Sequence, residues 1–83
     1  DPMATDWRLA PNPVAPGQRM RLIPAGEEQP LEIQLMDLQG RIVRTVDLDE
    51  ALAGHAVEDL AAGTYLLNLV FEQRHQTIRW IKG

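Results

Sequence analysis

Cysteine and serine are both absent from this chain of 83 residues. Without cysteine there are no disulfides, no thiolate metal ligands and no thiol nucleophile. Without serine, the candidate nucleophiles are threonine, Lys82 and carboxylate side chains, and no sequence motif activates any of them. The sequence therefore predicts that the protein is not an enzyme and that it carries no cofactor and no metal.

Long apolar runs and clusters of basic residues are missing as well. No stretch approaches the roughly 18 consecutive apolar residues of a membrane span, and no basic-then-apolar opening suggests a signal peptide. The formal net charge is −4, with acidic and basic residues interspersed along the chain. Because nucleic-acid binding depends on clustered cations that face phosphates, this charge pattern argues against a nucleic-acid partner.

The length and the first residues predict the domain organisation. A chain of 83 residues has room for one domain with one hydrophobic core. It opens with the residues DPMA rather than with an initiating methionine. We therefore interpret residues 1–4 as a tag or linker remnant and residues 5–83 as a single domain.

Apolar and polar residues alternate along LEIQLMDLQGRIVRTVDL, residues 31–48, and this alternation predicts a β-hairpin. Gly40 is placed for the positive φ of a tight turn, and Asp37 is predicted to close that turn with its side-chain oxygens. The apolar positions expected to face the core are Leu31, Ile33, Leu35, Ile42, Val46 and Leu48.

A second hairpin is predicted at the end of the chain. Its first strand covers residues 65–71, and the polar run EQRHQ at residues 72–76 is expected to form the reversal. Apolar residues on both faces predict strands that lie centrally in a sheet or are covered on both sides. The last strand divides its side chains between two faces, with Ile78 and Trp80 on one and Thr77 and Ile81 on the other.

Two shorter strands are predicted near the start of the chain. DWRLA, residues 6–10, directs Trp7 and Leu9 inward, and RMRLI, residues 19–23, directs Met20 and Leu22 inward. The connection PNPVAPG between them carries three prolines, which fix φ and cannot donate backbone hydrogen bonds. It is therefore predicted to be a stiff crossing that blunts a sheet edge.

The segment DEALAGHAVEDLAAG, residues 49–63, is ambiguous. Its alanine content and leucine spacing favour a helix, whereas the interrupting Gly54 and the acidic pair Glu58 and Asp59 oppose one. We interpret residues 51–54 as a chain reversal that contains at most a single turn of helix, and residues 55–60 as a short strand. Seven short strands separated by turn signals predict an all-β, immunoglobulin-like antiparallel sandwich.

The single tyrosine of the chain follows a sharp turn. In immunoglobulin-like sandwiches, a tyrosine near the start of the strand after a corner donates its hydroxyl to the backbone a few residues upstream. The spacing of Leu60, Gly63 and Tyr65 fits such a corner, with Gly63 permitting the turn and Leu60 anchoring the loop. This motif is predicted to be structural.

A few other residues are candidates for binding a metal or a ligand. His55 and His75 lie 20 positions apart on different segments, so exposed positions are favoured over a metal site. The acidic run at residues 47–50 lacks the later carboxylate and central glycine of a calcium loop, so a solvated turn is favoured. Trp7 and Trp80 are ordinary core residues if buried, but two exposed indoles would suggest a carbohydrate-binding module with a glycan partner.

Four separated stretches together resemble the C-terminal sorting domains of the type IX (Por) secretion system of Bacteroidetes-like bacteria, in the expected order and over nearly the whole chain after Asp6. Each stretch alone recurs in unrelated β-domains, whereas the ordered set is more specific. The stretches are PNP at Pro11, Asn12 and Pro13; MDLQGRIV at residues 36–43, with Asp37, Gly40 and Arg41; LAAGTYLL at residues 60–67, with Leu60, Gly63 and Tyr65; and IRWIKG at residues 78–83.

This resemblance implies a non-catalytic address label at the end of a larger secreted protein such as a protease, glycosidase or adhesin. It also implies passage through the periplasm, recognition by the outer-membrane translocation machinery, and delivery to the cell surface or the medium. A sortase-like protease often removes such domains while joining the cargo to an anionic lipopolysaccharide.

The resemblance also places the recognition determinant in the terminal strand. The usual determinant has a basic residue, an aliphatic residue and a final lysine, and these positions are matched here by Arg79, Ile81 and Lys82. Two residues differ from the usual pattern: Arg79 stands where lysine is usual, and Trp80 stands where a small or aliphatic residue is commoner. As an edge strand, this segment could also be read through its unpaired backbone groups by strand addition. The predicted recognition residues are Arg79, Trp80, Ile81, Lys82 and Gly83.

Overall fold

The computed structural model of the protein describes residues 6–83. The interpretation of residues 1–4 as a remnant, and the start of the domain at residue 5, lie outside the described residues. The elements in chain order are β1 (Arg8–Ala10), β2 (Arg19–Ile23), β3 (Glu32–Met36), β4 (Ile42–Thr45), α1 (Leu48–Ala53), β5 (His55–Ala56), β6 (Gly63–Val70) and β7 (His75–Lys82).

The strands form two antiparallel sheets. One sheet has three strands in the order β1-β2-β5, and the other has four in the order β4-β3-β6-β7. The seven strands within residues 6–83 confirm the predicted all-β sandwich. No helix in this part of the chain is long and apolar enough to cross a bilayer.

The core lies between the two sheets and is built from the alternating positions that the sequence indicates. Met20 and Leu22 of β2 are buried, while Arg19 and Arg21 between them point to solvent, as predicted. Full burial of one such side chain contributes about 1.5–3 kcal/mol to stability. The opposite sheet supplies the fully buried side chains Ile33, Leu35, Leu67, Leu69 and Trp80.

The first hairpin forms as predicted, but two of its six inward assignments are wrong. Ile33, Leu35 and Val46 are buried, whereas Leu31 precedes β3 and is 73% exposed. Ile42 is also exposed, because the register between β3 and β4 shifts at Leu35. One extra residue in β4 reverses the faces beyond the shift. Leu48, the sixth predicted position, is partly buried against the core, but it belongs to the next helix rather than to a strand.

A helix occupies part of the ambiguous segment. The interpretation of residues 51–54 as at most one helical turn is too short, because the helix begins earlier and α1 runs from Leu48 to Ala53 with Ala51 buried. Asp49 and Glu50 lie in its first turn, where negative charge is favourable, and this explains the acidic run. The predicted strand over residues 55–60 is also too long, since β5 contains only His55 and Ala56.

The second hairpin is longer than predicted, and its turn is tighter. β6 and β7 pair along their full lengths, from Gly63 with Lys82 to Val70 with His75. The Phe71 backbone N–H donates to the Arg74 carbonyl at 2.8 Å, so residues 75 and 76, expected in the reversal, belong to β7 instead. β6 is central in its sheet as predicted, whereas β7 lies at the edge.

The corner before β6 has the geometry that the sequence predicts. The Tyr65 hydroxyl donates to the Ala61 carbonyl at 2.7 Å, and Leu60 packs against the core. The Tyr65 ring also stacks on Trp80, with 5.2 Å between ring centroids. The corner therefore fixes the entry into β6 and supports one side of the Trp80 indole.

We expect Tyr65→Phe to lower the free energy of unfolding by about 1 kcal/mol, because one hydroxyl-to-carbonyl hydrogen bond is lost while the aromatic stacking remains. Chemical denaturation measures this change. Thr64→Val is a suitable control, since the Thr64 hydroxyl has no hydrogen bond within residues 6–83. Equal stability of Tyr65→Phe and the parent would contradict a stabilising corner.

Candidate functional site

The terminal strand β7 presents two different faces. Trp80 and Lys82 point inward and are buried, at 0% and 9% exposure, while Arg79 and Ile81 point outward and are exposed. Gly83 follows the strand and is also exposed. Three of the five predicted recognition residues are thus accessible from solvent in the folded domain.

The two inward residues have surroundings that explain their burial. Trp80 packs within the core against Tyr65, and its indole N–H has no acceptor among residues 6–83. Leaving such a group without a partner costs about 1–3 kcal/mol, which the burial of a large aromatic side chain offsets. The Lys82 ammonium donates to the Gly83 carbonyl at 3.2 Å. These two side chains hold the strand in place and present little surface to a partner.

The outer edge of β7 is covered by residues 12–14, here called the covering segment. The Asn12 side chain accepts from the Ile81 backbone N–H at 3.1 Å and donates to the Arg79 carbonyl at 3.2 Å. Val14 then continues in a parallel bridge beside Lys82. Its N–H donates to the Ile81 carbonyl at 2.7 Å, and its carbonyl accepts from the Gly83 N–H at 2.8 Å.

This arrangement accounts for the PNP motif. Asn12 has both an acceptor and two donors on one short side chain, so it can bond to a strand backbone on both sides of one residue. Pro11 and Pro13 on either side lack N–H groups and fix φ, which limits further pairing along the segment. The predicted stiff crossing that blunts a sheet edge is therefore present, and the edge that it blunts is the end of β7.

Closure of this edge corrects one sequence-based expectation. Strand addition needs outward backbone groups of the edge strand to be free. Between Arg79 and Gly83, four of these groups are already bonded to Asn12 or Val14. Recognition by strand addition along this part of β7 is therefore wrong for the folded domain, and the exposed side chains remain.

Asp37 and Arg41 stabilise the turn of the first hairpin. The Asp37 carboxylate accepts from the backbone N–H of Gln39 at 2.9 Å and of Arg41 at 3.0 Å, and it pairs with the Arg41 side chain at 2.9 Å. Gly40 completes the turn at φ +86°. The hydrogen bond from the Arg41 backbone is the main cause that lowers the pKa of Asp37 from its usual 3.8. This motif closes a turn.

His55 is buried, contrary to the exposed position expected from the sequence. Its Nδ1 lies 2.6 Å from Glu50, and its Nε2 lies 3.4 Å from the Arg44 guanidinium. Arg44 also pairs with Asp59, and this hydrogen bond lowers the pKa of the Asp59 carboxyl. The network joins β4 to β5 across the two sheets. His75 is exposed as expected, and within residues 6–83 no three His, Asp or Glu side chains are grouped to hold a metal.

Both tryptophans belong to the core. Trp7 is 3% exposed and meets Phe71 edge to face at 6.0 Å, and Trp80 is fully buried. Stacking on a sugar ring requires an exposed indole face. The two exposed indoles that would favour a carbohydrate-binding module are therefore not found.

The fold and the site define a class of protein: a small β-sandwich that offers an exposed strand face beside a closed backbone edge. The family model described as "Secretion system C-terminal sorting domain" matches residues 8–83. The chain belongs to this family of type IX secretion sorting domains. Neither the comparison with curated proteins nor the comparison with solved structures found a match.

Membership confirms the resemblance found in the sequence. It implies a sorting signal that interacts with the type IX machinery, an attached N-terminal cargo, and export across the outer membrane to the cell surface or the extracellular space. The family is one of sorting signals and is not known for catalysis.

We expect Asn12→Ala to accelerate hydrogen exchange at the Ile81 amide, because the side-chain acceptor of that N–H is removed. Loss of the two Asn12 hydrogen bonds lowers stability by about 1–3 kcal/mol. Hydrogen exchange followed by NMR measures the first effect, and denaturation measures the second. Gln18→Ala is the matched control, since Gln18 bonds to Ala15 in the same connection. Unchanged exchange at Ile81 would contradict the role of the covering segment.

We expect Asp37→Asn to lower the melting temperature near neutral pH and to have little effect in strong acid. A carboxyl with a lowered folded pKa stabilises the protein above its unfolded value of 3.8, and this contribution is lost as the pH falls through the folded pKa. Melting followed by circular dichroism at about pH 7 and about pH 2 measures the difference. Glu72→Gln, an exposed carboxylate in the β6–β7 turn, is the control. A difference in melting temperature between Asp37→Asn and the parent that is the same at both pH values would contradict this account.

Proposed function

We propose that residues 5–83 form a non-catalytic domain that directs an attached cargo protein through the type IX system, from the periplasm across the outer membrane and toward attachment at the cell surface. Its partners are outer-membrane components of that system and a sortase-like protease that acts on the cargo junction. The observation that carries the proposal is the family match over residues 8–83, together with the outward display of Arg79 and Ile81.

The geometry of β7 supports recognition of a folded strand face. The inner face of the strand is buried, and the outer backbone edge is bonded to the covering segment. Among residues 79–83, the side chains that a receptor can reach are therefore those of Arg79 and Ile81. Arg79 supplies a charge, and Ile81 supplies apolar surface at 46% exposure. A receptor with a carboxylate beside an apolar patch would match this pair.

The structure also determines how the proposal must be tested. Deletion of residues 79–83 would remove Trp80 from the core together with the exposed side chains. Lost export after that deletion would therefore report misfolding as readily as lost recognition. Substitution of the two outward residues alone avoids this ambiguity, because neither contributes to the buried core.

We expect Arg79→Gln combined with Ile81→Thr to reduce surface delivery of a fused reporter by about tenfold or more, as expected when about 1.4 kcal/mol of receptor binding is lost. The reporter carries an export signal peptide at its N-terminus and all 83 residues at its C-terminus, in a bacterium with a type IX system. Fractionation and surface labelling measure delivery, and retained reporter is expected in the periplasm.

Arg8→Gln is the matched control, because Arg8 is an exposed arginine on the three-stranded sheet. Melting of the purified variants shows that both remain folded. Surface delivery of the double variant at the parental level, with the folded state intact, would overturn the proposal that β7 carries the signal. Failure of the parent fusion to leave the periplasm would overturn the proposed function as a whole.

A further inference from the structure

We infer that the receptor surface extends from β7 across all four strands of the larger sheet, along one row of apolar side chains on its outer face that ends at Arg79. This inference rests on the proposed function, since it enlarges the surface that the sorting receptor would contact. The row is defined by strand register and consists of Ile42 on β4, Met36 on β3, Leu66 on β6 and Arg79 on β7.

The register places these four side chains side by side. Ile42 pairs with Met36, Met36 pairs with Leu66, and Leu66 pairs with Arg79. Neighbouring strands are about 4.8 Å apart, so the row spans roughly 14 Å. Because side chains alternate along a strand, Leu66 lies on the face opposite to the buried Leu67. The apolar row therefore lies outside the sandwich.

The row is open to solvent. Ile42 is 54% exposed, and Met36 and Leu66 are half-buried without belonging to the core cluster. Ile81 lies two residues further along β7 on the same face, beside Thr64, and extends the apolar surface at 46% exposure. Exposed apolar side chains occur singly on most proteins, whereas a continuous row typically marks an interaction surface.

The next row on the same face is polar and can be compared with the apolar row. It contains Thr45, Gln34, Asn68 and Thr77. Asn68 donates to Gln34 at 3.0 Å and accepts from the Thr77 hydroxyl at 3.2 Å. Gln34, Asn68 and Thr77 therefore satisfy part of their hydrogen-bonding capacity within the sheet and gain less from contact with a partner. The contrast limits the docking surface to the end of the sheet near Arg79.

Charge and backbone geometry identify the kind of partner. Within residues 6–83, Arg79 forms no salt bridge, and the other arginines without one, Arg8, Arg19 and Arg21, lie on the three-stranded sheet. An unpaired guanidinium at the end of an apolar row fits a protein surface with apolar side chains and one carboxylate. Since the covering segment closes the adjacent backbone edge, docking occurs on the face of the sheet. Because the chain belongs to the family of sorting domains, we assign this partner as the outer-membrane sorting receptor of the proposed function.

We expect Ile42→Thr combined with Leu66→Thr to reduce surface delivery of the reporter fusion by about tenfold, since loss of apolar contact on binding weakens affinity. Threonine is β-branched and is favoured in strands, so the sheet is retained. Leu31→Thr is the matched control, because Leu31 is 73% exposed and lies outside the row. The melting temperatures of the purified full chains verify folding.

A photocrosslinking amino acid at position 42 of the full chain, with position 31 as its control, tests the same surface without relying on the stability of a double variant. The expected result is a crosslink from position 42 to an outer-membrane component of the type IX system, identified by mass spectrometry, and none from position 31. A crosslink only to a second copy of the chain would overturn the inference, as would crosslinking that is equal at both positions.

The two proposals fail in distinguishable ways. If export requires Arg79 and Ile81 but a folded Ile42→Thr, Leu66→Thr fusion is delivered like the parent, the receptor reads β7 alone and the extended surface is wrong. If neither pair of substitutions affects delivery of an exported parent fusion, the proposed signal in β7 is also wrong.

Discussion

The burial of Trp80 is the constraint on which the display of the terminal strand depends. Its indole stacks on Tyr65, and the corner formed by Leu60, Gly63 and Tyr65 in turn fixes the start of β6. With Trp80 held inward, alternation along the strand directs Arg79 and Ile81 outward. The solvent-exposed side chains of the terminal strand are therefore positioned by core packing.

Much of the fold could be predicted from local patterns, because strand alternation and turn chemistry are short-range properties. The hairpin around Gly40 and the hydrogen bond of Tyr65 follow from residues that are close in the sequence. Sequence alternation places Ile42 on the wrong face because a bulge adds a residue to β4, and no residue type marks that bulge. The buried environment of His55 depends on Arg44 from another strand. A pattern within one stretch of sequence does not predict which residues of other strands lie nearby.

The candidate site was predicted in part. The stretch at residues 78–83 could be singled out from the sequence, and its alternation separates the exposed Arg79 and Ile81 from the buried Trp80 and Lys82. The edge of β7 could not be assigned to the covering segment, because the two lie at opposite ends of the chain. The apolar row across four strands depends on three registers at once, and each of these is a tertiary property.

The contact between Asn12 and β7 joins a part of the domain that is synthesised early to the strand that is synthesised last. Asn12 and Ile81 are 69 positions apart, and β7 is made by the ribosome after the other six strands. A chain interrupted before β7 has no partner for Asn12, leaves the core without Trp80, and lacks the outward side chains. If β7 bears the address as proposed, the same strand also completes the hydrophobic core, so that a cargo can be labelled for export only when its translation has reached the end of this domain.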